Sequence, residues 1–153
     1  MKNKAIYIIL FISGIVLNSC QKMEYEKEYN WAYPVSGDWV VNVQYGTDTY
    51  GPVYLKTYNT SMGQDSIWLD DHHDFWPMKV KAKVNMKALS FESAKSISYP
   101  GEGVEDEVKI SNGKVVGKDS IYFEAEFASD PGTIYKFGGH RKVSYEEYLD
   151  GLN

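Results

Sequence analysis

The chain of 153 residues has one cysteine, one arginine and three histidines. A single cysteine excludes an intramolecular disulfide and any Cys-rich zinc site. Sixteen Lys plus Arg stand against 21 Asp plus Glu, a net charge of −5 with no basic block. That balance argues against binding nucleic acid through its phosphates. The longest apolar run, Ala5 to Leu17, falls short of the roughly 20 residues that a membrane-spanning helix needs. No segment of ten or more residues has convincing helical periodicity, and no internal repeat or low-complexity tract occurs. A serine-hydrolase Gly-x-Ser-x-Gly elbow is also missing. At roughly 100–200 residues per domain, the chain is one domain. What it does have is aromatic residues, 13 Tyr, 6 Phe and 4 Trp, in a composition that is 43% hydrophobic. That is far from a disordered composition and leans toward β-structure.

The first residues read as an address. Lys2 and Lys4 form a positive segment, followed by the apolar run and then Leu17-Asn18-Ser19-Cys20. This order resembles a lipoprotein signal peptide with its lipobox, although Asn18 stands where a small residue is usual. The resemblance implies cleavage after Ser19 and acylation of Cys20, which gives membrane anchoring without a transmembrane helix. Residues 1–19 are then the signal peptide, 20–34 the lipidated N-terminus and tether, and 35–153 the folded domain. Cleavage removes two lysines and no acid, leaving 14 basic and 21 acidic residues over 134. A short acidic stretch, Gln21 to Asn30, follows the cysteine and reads as a surface-export signal or a solvated linker. The expected location is the cell envelope of a Gram-negative bacterium, on the outer membrane facing the periplasm or the cell surface.

From Gly37 onward the dominant period is two. Trp39, Val41, Val43 and Tyr45 alternate with Val40, Asn42 and Gln44. Met78, Val80, Ala82, Val84, Met86 and Ala88 alternate with Lys79, Lys81, Lys83, Asn85 and Lys87. Only an extended strand puts those two sets on opposite faces. Further strands are expected at 53–59, 66–70, 91–99, 121–127 and 133–142. Asn112-Gly113 is expected to turn a hairpin between Val108-Lys109-Ile110 and Val115-Val116. Ser144-Tyr145-Glu146-Glu147 has capping-box spacing and is expected to open a short C-terminal helical turn. About eight antiparallel strands fit a sandwich or a closed barrel.

Gly37-Asp38-Trp39 resembles the first-strand signature of the lipocalin-like, or calycin, barrels. The resemblance implies that Trp39 plugs one barrel end and that a basic residue of the last strand packs across it. Arg141 is placed for that role, since a planar guanidinium stacks on an indole while bonding carbonyls. Thr57-Tyr58-Asn59-Thr60, Trp68-Leu69-Asp70-Asp71, Phe75-Trp76, Asp119-Ser120-Ile121-Tyr122-Phe123 and Asp130-Pro131-Gly132-Thr133 recur in order. Together with the lysine-alternating strand they resemble a family of small secreted bacterial lipoproteins described as lipid-binding putative hydrolases. The fold expected is therefore all-β, an antiparallel calycin-like barrel of about eight strands.

The family resemblance brings no catalytic motif with it, so the residues themselves must supply one. The one cluster with suitable chemistry is Asp70-Asp71-His72-His73-Asp74. Carboxylates and imidazoles in one loop offer acid–base catalysis or a divalent-metal site, or simply a polar turn. No cofactor is expected. If the barrel is hollow, its apolar parity would line a cavity: Val41, Val43, Tyr45, Trp68, Val80, Val84, Met86, Phe123 and Phe127. The same residues equally make a filled core. The leading expectation is an anchored lipoprotein that binds a fatty acid or lipid without catalysis. The alternatives are a hydrolase using the His72–Asp74 loop, and a filled barrel that contacts an envelope protein or glycan.

Overall fold

A computed structural model describes residues 28–61, 63–98 and 106–143. The signal segment, Cys20, most of the acidic stretch and the capping-box turn lie outside the described residues. Eight antiparallel strands follow one another: β1 Gly37–Tyr45, β2 Asp48–Asn59, β3 Ser66–Asp70, β4 Lys79–Asn85, β5 Ser90–Ile97, β6 Glu107–Val116, β7 Ser120–Phe127 and β8 Tyr135–Arg141. Each pairs with the next, and β8 pairs with β1, closing a barrel. A 3₁₀ turn, Tyr33–Val35, precedes β1. The calycin-like barrel expected from the sequence is the fold.

The register follows from the alternation. On the inner face Trp39 stands opposite Leu55, and Val41 opposite Val53. Thr57 faces Leu69, and Leu69 faces Val80. Val108 faces Phe127, and Phe123 faces Phe137. Nearly all of these side chains are buried in one core. The outward lysines of β4 keep that strand's other face wet, which discourages edge pairing. Strands β1 and β8 approach so closely that a Cβ on Gly139 would lie 2.0 Å from the Val40 carbonyl oxygen. Only glycine fits there.

Four local expectations are corrected. Asn112-Gly113 does not turn a hairpin. It lies inside β6, where the β6–β7 register slips between Ser111 and Lys114. Asn112 takes φ 54° as a bulge residue and donates its amide to Glu124 at 2.7 Å. Gly113 leaves room for Phe91, whose ring carbon would come 2.4 Å from a Cβ there. The true β6–β7 turn is Gly117-Lys118-Asp119, with Gly117 at φ 63°. Trp68 was expected inside. It pairs with Tyr58 and Lys81 on the outer parity and is half-buried, while its neighbours Ile67 and Leu69 fill the interior. Strand β4 ends at Asn85, so Met86 sits in the β4–β5 turn rather than on the strand. The alternation expected over 91–99 breaks at two register shifts in β5, which turn Lys95 and Ile97 to solvent.

Candidate functional site

The barrel has two closed ends and one weak side. At the first end the Arg141 guanidinium lies 4.4 Å over the Trp39 ring. It donates to the Ser36 carbonyl at 2.6 Å and to the Lys118 carbonyl at 2.9 Å. The Trp39 indole donates to Thr57 Oγ1 at 2.8 Å, and that hydroxyl donates to the Val35 carbonyl at 2.8 Å. Gly37 is what admits the guanidinium, since a Cβ there would meet Nη1 at 2.1 Å. The Gly-x-Trp spacing thus has a mechanical cause: glycine clears the path and tryptophan supplies the surface. Trp31, Ala32 and Val35 pack onto the same core, so barrel packing begins inside the segment read as tether.

At the second end the β3–β4 loop folds inward and carries Phe75 and Trp76. Trp76 stacks on Phe127 at 4.9 Å between ring centres, and Phe75 packs against Tyr45, Tyr135 and Phe137. The loop is built around Asp71, which is fully buried. Its carboxylate accepts the backbone N–H of His73 at 3.1 Å, Phe75 at 3.4 Å, Trp76 at 2.9 Å and Met78 at 3.1 Å. Burial pushes its carboxyl above the ordinary range, against the pull of those four donors. The chain reverses at His72 and His73, with φ 53° and 61°. Asp70 accepts from the Tyr58 hydroxyl at 3.0 Å and lies 3.1 Å from the His72 ring. Asp74 accepts the Tyr54 N–H at 2.7 Å. The five residues therefore hold a loop in place. A carboxylate committed to four backbone donors has no lone pair turned toward a substrate or a cation. Among the described residues, no three His, Cys, Asp or Glu stand together as metal ligands.

Of the proposed lining residues, Val41, Val43, Val80, Phe123 and Phe127 are buried against one another. Phe123 stacks on Phe137, its partner on the neighbouring strand β8, with ring centres 4.5 Å apart. Tyr45 joins the aromatic group around Phe75, at 6.3 Å from that ring and 5.3 Å from Tyr135. Val84 and Met86 are different. They are only partly buried and border a cleft of about 740 Å³ with Phe91, Lys83 and Lys87.

The weak side is the seam between β4 and β5. Only three residue pairs join these strands, Lys83 with Glu92, Val84 with Phe91, and Asn85 with Ser90. Beyond them, serine hydroxyls take the place of the backbone ladder. The Lys81 N–H donates to Ser96 Oγ at 2.9 Å, and the Lys79 N–H to Ser98 Oγ at 3.1 Å. Ser98 in turn donates to the Pro77 carbonyl. A second cleft of about 740 Å³ runs over this seam, bordered by Lys81, Lys83, Glu92, Ser96 and Ile110. Lys83 and Glu92 border both clefts. In the sequence, the seam is marked only by the row of serines and by Lys95 in β5.

A family model described as lipid-binding putative hydrolase matches residues 24–146. The chain belongs to that family. The match takes in every strand, both plugged ends and the seam. No curated protein matches the chain.

Proposed function

We propose that this chain is an anchored envelope lipoprotein, acylated at Cys20, whose barrel binds a small apolar ligand such as a fatty acid or lipid without catalysis. One observation carries the ligand reading within this lipid-binding family. Val84 and Met86 offer apolar surface to an open cleft floored by the buried Phe91, while the rest of the inner face is packed. The ligand would bind in that side cleft and not along the barrel axis. Burying six methylenes at about 0.8 kcal/mol each contributes about 5 kcal/mol, a dissociation constant of the order of 0.1–1 mM before any head-group contact. Methionine suits such a lining because its thioether adapts to ligand shape. The commitment of Asp70, Asp71 and Asp74 to loop contacts supports the non-catalytic half of the reading.

Native mass spectrometry of residues 21–153, delipidated and incubated with a lipid extract, tests the binding. Retained lipid is expected, and none at saturating ligand would overturn the reading. Palmitate labelling lost in Cys20→Ser would support the anchor, and unchanged labelling would refute it. Unchanged esterase turnover in His72→Ala and His73→Ala would remove the hydrolase alternative.

The packed interior also favours a second reading, an interaction lipoprotein docking an envelope protein or glycan. Tyr29, Tyr33, Tyr50 and Tyr54 are the exposed rings such a contact would use.

A further inference from the structure

Strand β5 departs from the other seven. Its one buried apolar residue is Phe91 near its start, and beyond it Ser93 stands opposite Ile110 and Ser96 opposite Val108. Ser98, just beyond the strand, is fully buried. Past the three ladder pairs, the Ser96 and Ser98 hydroxyls accept the Lys81 and Lys79 N–H groups of β4. A hydroxyl can rotate from one partner to another, whereas a ladder carbonyl cannot.

The charges over the seam are unevenly matched. Lys95 is paired with Glu107, and Lys109 with Glu126 at 3.5 Å. Lys79 lies 4.0 Å from Asp70. Lys81 and Lys83, the outward residues of β4 that border the seam cleft, make no ion pair among the described residues. Glu92 stands opposite Lys83 in the ladder and borders the cleft without closing an ion pair. Lys87, on the adjoining cleft, is likewise outside every ion pair among the described residues, so unmatched positive charge gathers along these clefts in a chain that is acidic overall.

We infer that the β4–β5 seam is the head-group site for a single-chain amphiphile with an anionic head, held by Lys81 and Lys83. The tail runs past Lys83 into the adjoining cleft over Val84 and Met86. This rests on the apolar-ligand reading above and adds the sign and place of the head. Lys83 borders both clefts, so one ligand touches it at the junction of head and tail. Exposed ammonium groups attract a carboxylate in a salt-dependent way, so salt weakens the head contact and leaves the tail contact. Glu92 opposes a second negative charge at the same place, which favours a singly charged head.

The test is calorimetric titration of the mature chain from residue 20 onward, bearing Cys20→Ser, with decanoate, 1-decanol and acetate as separate probes. Decanoate is expected to bind at one per chain, decanol more weakly, and acetate without measurable heat. The double variant Lys81→Gln/Lys83→Gln is expected to weaken decanoate at least tenfold and to leave decanol unchanged. Lys81→Arg/Lys83→Arg, which keeps the charge, should keep decanoate affinity, and Glu92→Gln should raise it. Decanoate bound equally well by the glutamine and arginine variants overturns this inference while the apolar-ligand reading stands. Failure of both decanoate and decanol to bind overturns the apolar-ligand reading and this inference together. Loss of decanol along with decanoate in the glutamine variant also overturns it, because the lysines would then support the fold and not the head.

Discussion

Replacing Asp71 with Asn should unfold the protein far more readily, although the two side chains are nearly the same size. The carboxylate is buried and accepts four backbone N–H groups, from His73, Phe75, Trp76 and Met78. Hydrogen bonds to a charged group contribute about 1.5–3 kcal/mol each. Removing the charge from water offsets several kcal/mol of that sum. Asn keeps one accepting oxygen and turns an NH₂ group toward donors that need an acceptor. Two of the four N–H groups then lose their partner, at about 1–3 kcal/mol each. The expected cost is about 3–5 kcal/mol, a large part of the stability of a domain this size. Urea unfolding followed by tryptophan fluorescence measures it, since Trp76 rides on this loop and stacks on Phe127. A cost below about 1 kcal/mol would refute the idea that Asp71 anchors the loop. The pH dependence gives a second check. Burial is the larger influence on this carboxyl and raises it above its ordinary value of 3.8. A group raised in the folded state stabilises the fold below its unfolded value, and that contribution is lost as pH rises through the folded value. The stability advantage of wild type over Asp71→Asn should therefore grow as pH falls from neutral toward about 4. An advantage that shrinks over this range would mean that the four donors outweigh burial.

Arg141→Lys should cost about 2 kcal/mol, because lysine cannot reach the Ser36 and Lys118 carbonyls while also covering the Trp39 ring; unchanged denaturant midpoint would refute the latch. Gly139→Ala should cost about 3 kcal/mol or abolish folding, since its Cβ would collide with the Val40 carbonyl and the Val41 Cα. Gly138→Ala, whose Cβ meets only a Tyr122 ring carbon at 3.7 Å, is the control and should fold normally. Tyr58, Tyr122 and Tyr135 donate to Asp70, Glu124 and Asp130, and all three hydroxyls are pushed up to about 12. Burial leads for Tyr58 and Tyr135, and the Glu124 hydrogen bond leads for Tyr122. Their contribution is complete below pH 10 and is lost as pH rises through 12, so alkaline unfolding should fall in that window. Absorbance at about 295 nm should show three late-ionising tyrosines in the folded protein, and their ionisation at the ordinary pH would refute the pairings.

The eight-strand alternation was legible wherever one face is buried and the other wet, because burial then imposes a period of two. β1, β4 and β7 carry that pattern plainly. Trp68 was misplaced because β3 is short and buried on both parities, from Ser66 through Asp70, so alternation carries no direction there. Asn112-Gly113 was misread for a different reason. A residue at positive φ followed by glycine satisfies a tight turn and a bulge equally well, and the choice rests on what lies across the strand. Here Phe91 fills the space above Gly113, and Phe91 lies far from it in the chain. The two closing residues, Trp39 and Arg141, were legible only through the family resemblance. Nothing in the local sequence of either one specifies its partner. The loop at 70–74 was legible as polar, but which carboxylate would be its anchor depends on the backbone reversal at His72 and His73.

Lys95 shows how a failed alternation can point at function. Read as a regular strand, 91–99 puts a lysine among apolar residues, which a buried face does not tolerate without a partner. The strand resolves this by slipping register twice, which sends Lys95 outward to Glu107 and brings Ser93 and Ser96 to the interior parity. At the other edge of β5, beyond the three ladder pairs with β4, Ser96 and Ser98 take the Lys81 and Lys79 N–H groups. The β4–β5 ladder, with three pairs, is the shortest in the barrel, and it lies where the sequence is least regular. The same place carries the unmatched lysines and adjoins the partly exposed Val84 and Met86. Ser96 answers a backbone donor, but Ser93 stands opposite the buried Ile110, where an apolar residue would give β5 a drier wall. A polar wall beside partly exposed Val84 and Met86 suits an amphiphile, whereas both barrel ends are filled by packed side chains, so the seam is the place to look for the ligand.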